Sequence, residues 1–233
     1  MGSLAHDVSL AGYRSALHEY CKSVDFAFDS VAGEIITQRK PARYAGDSLR
    51  PLLVLWACAA NGGDLTDALP VAAAFDLFDR FMLLHDELAD EQAESIARWG
   101  LGQSLNAGDA LYAVGFRCLA NDVVDPQRRL RAAQIVAEAL LDAVGARCND
   151  RKGEAELTAA ALHAGAVVAG ASPERCEAFA SAGNALGAAL ECTDEANAER
   201  AAMASAQLVR RCVDSGDYNE FLEAARYIAR RNR

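Results

Sequence analysis

Between Phe75 and Asp90 the chain reads FDLFDRFMLLHDELAD, and Phe75, Phe78, Phe81, Met82 and Leu84 recur at three- and four-residue steps. That period predicts a helix with one oily stripe. A long helix is expected before it, from about Val8 to Ile36, with Tyr13, Leu17, Tyr20, Val24, Phe28 and Val31 on its apolar side. A polar connector, Arg39 to Ser48, separates it from a helix opening at Leu49-Arg50-Pro51 and stopping at Asn61-Gly62-Gly63, since proline suits a first turn and glycine a stop. Thr66 and Asp67 precede Pro70 as a plausible cap for the central helix. Gly100 to Gln103 breaks the pattern, and helices follow over about Ser104–Asn121, Gln127–Val144 (started by Asp125-Pro126) and Glu156–Ala169, the last after a short polar connector, Asn149 to Glu154. Gly170-Ala171-Ser172-Pro173 is a stop and a new start. Glu174 to Arg211 reads as helical with a break near Asn197, and Asp217 to Arg231 as the last helix. Antiparallel helices with short loops build a bundle.

Composition agrees. Of 233 residues, 52% are hydrophobic and only five are proline, and no strand-like alternation stands out, so the class is all-α in a single domain, 1–233. A net charge of −10 argues against nucleic acid, which is bound through clustered Lys and Arg. The seven cysteines are scattered singly without a C-x-x-C pair, which reads as reduced thiols in a cytoplasmic protein rather than a zinc or redox site. The N-terminus carries no export pattern, and no apolar run reaches membrane-spanning length.

The candidate chemistry sits where the oily stripe ends. Asp86 and Asp90 are spaced i, i+4 and stack about a turn apart on one face. Two like charges that close repel, and a hard cation such as Mg²⁺ relieves the repulsion while leaving coordination positions for phosphate. The segment has two readings: a core helix with a solvated acidic end, or an apolar slot closed by a metal-holding turn, suited to a greasy diphosphate.

Several segments together resemble the trans-isoprenyl diphosphate synthase (polyprenyl synthetase) family. Gly46-Asp47-Ser48-Leu49-Arg50-Pro51-Leu52-Leu53 stands against GKRLRPLL, and Leu84-His85-Asp86-Glu87-Leu88-Ala89-Asp90 against LIHDDxxD. Ala107-Gly108-Asp109-Ala110-Leu111 is similar to AGDALL, Leu162 to Ser172 resembles the segment before the second acidic motif, and Leu222 to Arg231 resembles the closing helix. The matches run in order over most of the chain. The resemblance implies an isoprenoid-synthase-type bundle around a deep central cavity, with two acidic motifs holding magnesium on an allylic diphosphate across its mouth.

The departures carry the functional information. The second motif, FQxxDDxxD, aligns with Leu190 to Ala198: its leading Asp survives as Asp194, the next is Glu195, the last is Ala198, and Glu191 replaces the glutamine. The residues that hold isopentenyl diphosphate in the family are mostly gone. Asp47 stands for a lysine and Asp79 for a histidine, Arg50 remains, and an arginine pair is deleted, leaving Arg98 nearest. Acidic groups at two contacts would repel a ligand of charge about −3 by several kcal/mol at short range.

By resemblance, then, the expected function is a divergent class I terpene synthase, which ionises one allylic prenyl diphosphate with Mg²⁺ and cyclises or deprotonates the cation without condensation. The expected catalytic residues are Asp86, Asp90 and Asp194. The expected metal ligands are Asp86, Asp90, Glu191, Asp194 and Glu195. Arg50, Arg98 and Lys152 would touch diphosphate; Phe75, Phe78, Phe81 and Met82 would line the cavity, Phe81 and Met82 setting its floor for a ten- or fifteen-carbon chain. The alternative is a non-catalytic or regulatory subunit of a heteromeric prenyl diphosphate synthase, and a homodimer, or a heterodimer with an active synthase, is the expected assembly.

Overall fold

The structure is a computed structural model that describes residues 10–23, 49–88, 94–123, 125–149 and 151–231. Among these residues it is all-α, as expected, with ten helices in chain order: α1 Leu10–Ser23, α2 Leu49–Ala60, α3 Leu65–Leu88, α4 Glu94–Trp99, α5 Leu101–Asp122, α6 Pro126–Arg147, α7 Glu154–Val168, α8 Pro173–Glu191, α9 Glu195–Val209 and α10 Ser215–Arg231. The connector from Arg39 to Ser48 and the first helix beyond Ser23 lie outside the described residues.

Helix α3 is the axis of the bundle. From Ala68 to Phe75 every side chain is buried, so this stretch is apolar all round, the signature of a helix enclosed by others. It is flanked by α1, α2, α5 and α7. Its start, Leu65, lies one residue ahead of the expected cap: Thr66 and Asp67 fall inside the first turn, and Asp64 caps it, its carboxylate accepting from the Thr66 N–H at 2.9 Å. Pro70 consequently falls inside the helix rather than at its beginning.

Other boundaries have equally local causes. Asp125 accepts from the backbone N–H groups of Gln127 and Arg128, so α6 opens on Pro126. The expected break near Asn197 comes earlier, at Cys192 to Asp194, because the Asp194 carboxylate caps α9 by accepting from the Asn197 N–H. Helices are tied end to side by arginines: Arg128 donates to the Val168 carbonyl, which ends α7, and Arg175 to the Ala60 carbonyl, which ends α2. Trp56, Phe179 and Phe221 stack where α2, α8 and α10 meet.

Close helix approach depends on glycine at several seams, among them the α2–α7 seam, where a Cβ on Gly165 would stand 2.4 Å from the Val54 carbonyl oxygen. A Cβ on Gly183 of α8 would stand 2.5 Å from the Thr158 carbonyl oxygen of α7, and one on Gly115 of α5 would stand 2.5 Å from the ring of Phe78. Phe78 is fully buried and has no room to retreat. Gly115→Ala should therefore cost about 1–3 kcal/mol. Gly102→Ala, on the same helix with nothing within 4 Å, should be neutral or gain up to about 1 kcal/mol. Urea denaturation of the two variants checks the opposite signs; equal stability would mean that α3 and α5 are not in close contact at Gly115.

Candidate functional site

The charged groups of interest gather where α2, α3, α7 and α8 come together. Arg50, in the first turn of α2, donates to the Asp79 carboxylate of α3 and to the Glu154 carboxylate in the first turn of α7. The side chain of Arg50 is 12% exposed and that of Asp79 6%. The Glu154 backbone N–H in turn donates to the Glu191 carboxylate, the last residue of α8, at 2.8 Å. One guanidinium thus faces two carboxylates in a nearly dry site. Burial pushes Asp79 up to about 7, and Glu154 and Asp76 push the same way against the opposing pull of Arg50. Burial disfavours the Arg50 charge, but the two carboxylates outweigh it and hold Arg50 above its ordinary range.

Asp86 is one residue pair away from this chemistry in kind. At the end of α3 its carboxylate is gripped by Arg147, the last residue of α6, with Nε–Oδ1 at 3.0 Å and the second contact at 3.4 Å. Its side chain is 51% exposed, so the pair is a surface one and worth about 0–1 kcal/mol. Asp90 lies outside the described residues. Lys152 is exposed in the turn before α7, and Arg98 lies over the ring of its neighbour Trp99, 5.1 Å from the centroid.

The aromatic stripe faces α5. Phe78 packs on Phe116 and Tyr112 with centroids 5.2 and 5.9 Å apart, and Phe81 on His85 and Tyr112 at 4.4 and 5.3 Å. Phe75 and Met82 are buried in the core, and Phe81 is half-buried. Phe78 and Phe81 therefore spend their rings on helix–helix packing.

Expected metal ligands hold other posts. Glu191 closes the N-terminus of α7, Asp194 caps α9, Glu195 is exposed in the first turn of α9, and Asp86 is ion-paired. Among the described residues no three metal-ligating side chains stand together. Magnesium, which the resemblance implies, does not fit the described residues as they are arranged, because Asp86, Glu191 and Asp194 already satisfy a guanidinium or a helix end.

Sequence reasoning missed Glu154 and Arg147. Glu154 was legible only as part of a polar connector, although an acid in a helix's first turn is the usual place for one. Arg147 sits in the last turn of α6, where a cation is equally ordinary, and nothing in the sequence pairs it with a carboxylate 61 positions earlier.

Residues 39–154 match the polyprenyl synthetase family. The chain belongs to that family. It is 34% identical to the geranylgeranyl diphosphate synthase of Mycobacterium tuberculosis over 65% of this chain and 50% of that one. It is 28% identical to the geranylgeranyl diphosphate synthase of Methanosarcina mazei over 67% of this chain and 57% of that one. The chain thus spans about half the length of these curated relatives. The geranylgeranyl pyrophosphate synthetase structure from Geoglobus acetivorans superposes with a TM-score of 0.79 at 16% identity, over 95% of this chain and 98% of that one, a likeness of fold. No helix among the described residues is long and apolar enough to cross a membrane.

For a polyprenyl synthetase family member the buried charge balance at Arg50 has a measurable signature. Arg50→Met would strand two carboxylates and should cost about 3–5 kcal/mol. Asp79→Asn leaves Arg50 with Glu154 and should cost far less. The pH dependence is signed: because Asp79 is raised in the folded state, the folded protein holds its proton between about pH 4 and pH 7, and the stability it contributes at low pH is lost as pH rises through that window. Denaturation midpoints at pH 4.5 and 7.5 should show Asp79→Asn gaining on the parent as pH rises. A constant difference would place Asp79 as an ordinary ionised partner of Arg50.

Proposed function

We propose that this chain is a non-condensing subunit of a heteromeric prenyl diphosphate synthase. One observation carries the reading: Arg50, the single cation retained from the set that the family resemblance assigns to isopentenyl diphosphate, is enclosed by Asp79 and Glu154. Asp79 is not merely repulsive at its position. Once its proton is lost, above about pH 7, it is the internal counter-ion that takes the place a diphosphate would occupy on Arg50. A diphosphate would have to displace two buried carboxylates to reach the guanidinium, leaving them unpaired at a cost of several kcal/mol.

Two further features support the subunit role. Heteromeric assemblies occur among the similar proteins: the heterodimeric geranylgeranyl pyrophosphate synthase large subunit 1 of Arabidopsis thaliana is 33% identical over 41% of this chain, and a mint heterotetrameric geranyl pyrophosphate synthase has a TM-score of 0.72. On α5, Leu101, Leu105 and Tyr112 are exposed on one side and offer apolar surface to a catalytic partner.

The second reading is the divergent terpene synthase acting on one allylic diphosphate. It is favoured by Asp86, whose ion pair with Arg147 is solvent-reached and weak enough to be exchanged for a cation. Both readings exclude isopentenyl condensation by the isolated chain.

The test is to incubate the pure protein and Mg²⁺ with geranyl, farnesyl or geranylgeranyl diphosphate, each with and without isopentenyl diphosphate, and then to repeat it with an active geranylgeranyl diphosphate synthase added. The expected outcome is no product from the chain alone and a changed product-length distribution in the mixture. Hydrocarbons from an allylic diphosphate alone would select the terpene synthase, and elongated diphosphates from the chain alone would overturn both readings.

A further inference from the structure

The end of α3 carries a carboxylate that the family resemblance gives to a divalent ion, and the structure gives it to a guanidinium instead. Arg147, the last residue of α6, holds Asp86 with Nε on Oδ1 at 3.0 Å and Nη2 on Oδ2 at 3.4 Å, so one group engages both carboxylate oxygens. A two-pronged pair of this kind fixes orientation as well as charge. The guanidinium is seated in the protein: its side chain is 24% exposed and its Nη1 is buried. It also has a reason to stay in place without Asp86, because a cation in the last turn faces the negative end of its helix.

Among the described residues no neighbouring carboxylate stands ready to share an ion with Asp86. Glu191 is held on the Glu154 N–H and Asp194 on the Asn197 N–H, each at 2.8 Å, and no three ligating side chains come together. A lone carboxylate holds a hard divalent ion weakly, since Mg²⁺ takes about six oxygens and water must then supply the rest. Occupancy is therefore decided by the charge already standing there. An ion sharing the Asp86 carboxylate would lie about 5 Å from the Arg147 guanidinium, and repulsion of a double charge by a single one at that distance weakens binding roughly tenfold even at the dielectric constant of water. The ion must also break the Nε and Nη2 contacts. Arg147 brings one positive charge, which balances Asp86 and leaves none over for a diphosphate; a divalent ion would leave one.

We propose that Arg147 is the resident cation of this acidic turn: it neutralises Asp86 in place of a divalent ion and holds such an ion off to higher concentration. The pair is reached by solvent and exchangeable, so Arg147 sets a threshold and not a bar. The inference is independent of Arg50 and of both functional readings, since occupancy of Asp86 by a metal ion is defined without substrate or partner.

Manganese, a paramagnetic stand-in for Mg²⁺, tests this without reference to activity. Free Mn²⁺ is counted by its electron paramagnetic resonance signal as the ion is titrated to millimolar concentration into the metal-stripped chain. The same titration is run on Arg147→Gln, on Arg147→Lys and on the double variant Asp86→Asn/Arg147→Gln, each checked for helicity by circular dichroism. Arg147→Gln removes the resident charge and should bind Mn²⁺ about tenfold more tightly than the parent. Arg147→Lys retains the charge and should stay near the parent, and adding Asp86→Asn to Arg147→Gln should abolish the gain. Equal Mn²⁺ affinity in Arg147→Gln and the parent would overturn the proposal. So would a gain that Arg147→Lys shares, or one that survives loss of the Asp86 carboxylate and so places the ion elsewhere.

Discussion

A guanidinium between two carboxylates is the charge arrangement on which this end of the bundle rests. Arg50 joins α2 to α3 through Asp79 and to α7 through Glu154. The backbone of Glu154 carries the connection on to Glu191 and so to α8. Four helices therefore share one buried charged knot. Its energetics are unequal in the two directions: forming it from water gains little after desolvation, whereas removing its centre leaves two charges with nothing to face. Such a knot fixes helix register more than it adds stability, because only one arrangement of α2, α3 and α7 lets both carboxylates reach the same cation.

The same knot sets what the site can bind. A cation that is to receive an outside diphosphate must be unsatisfied or weakly paired until the ligand arrives. Arg50 has both Nη groups taken, by Asp79 and by Glu154, and only its buried Nε is without a partner, so a ligand would compete against two carboxylates rather than one. Asp86 stands at the other limit. Its partner Arg147 is within solvent reach, and screening leaves that pair exchangeable. The difference between the two positions thus lies in burial, not in residue identity.

Much of this was legible in the sequence, unevenly so. Class, family and most of the helices followed from spacing and from short matches in order, because the 3.6-residue period and the glycine and proline stops are local signals, whereas the short α4, Glu94–Trp99, was not among the expected helices. Cap positions moved by a few residues where a side chain outside the pattern took the role, as Asp64 and Asp194 do. The pairing of residues was not legible. Asp79 read as a repelling charge because its counter-ion is 29 positions away, and Glu154 read as linker polarity because its target is 104 positions away. Glu191 and Asp194 had the spacing of ligands and serve instead as helix caps, a role that the same residue types at the same places fill just as well.

The packing of α5 on α3 carries the argument one step further, to where a prenyl chain could lie. A cavity floor in this fold needs side chains that end in open space, yet Phe78 is covered by Phe116 and Tyr112 and seated on Gly115, and Phe81 is covered by His85 and Tyr112. Rings held on two sides by other rings are poor walls for a mobile ligand, since moving one forfeits contacts with its neighbours. The stripe that makes α3 look like a substrate slot in the sequence is also the stripe that best packs a helix. Here it faces a helix, α5, whose glycines bring that helix close. Tight α3–α5 packing and the two carboxylates on Arg50 point the same way: the fold of the family is kept, and on the reading proposed above the contacts that would open it to two diphosphates are turned inward to hold it together.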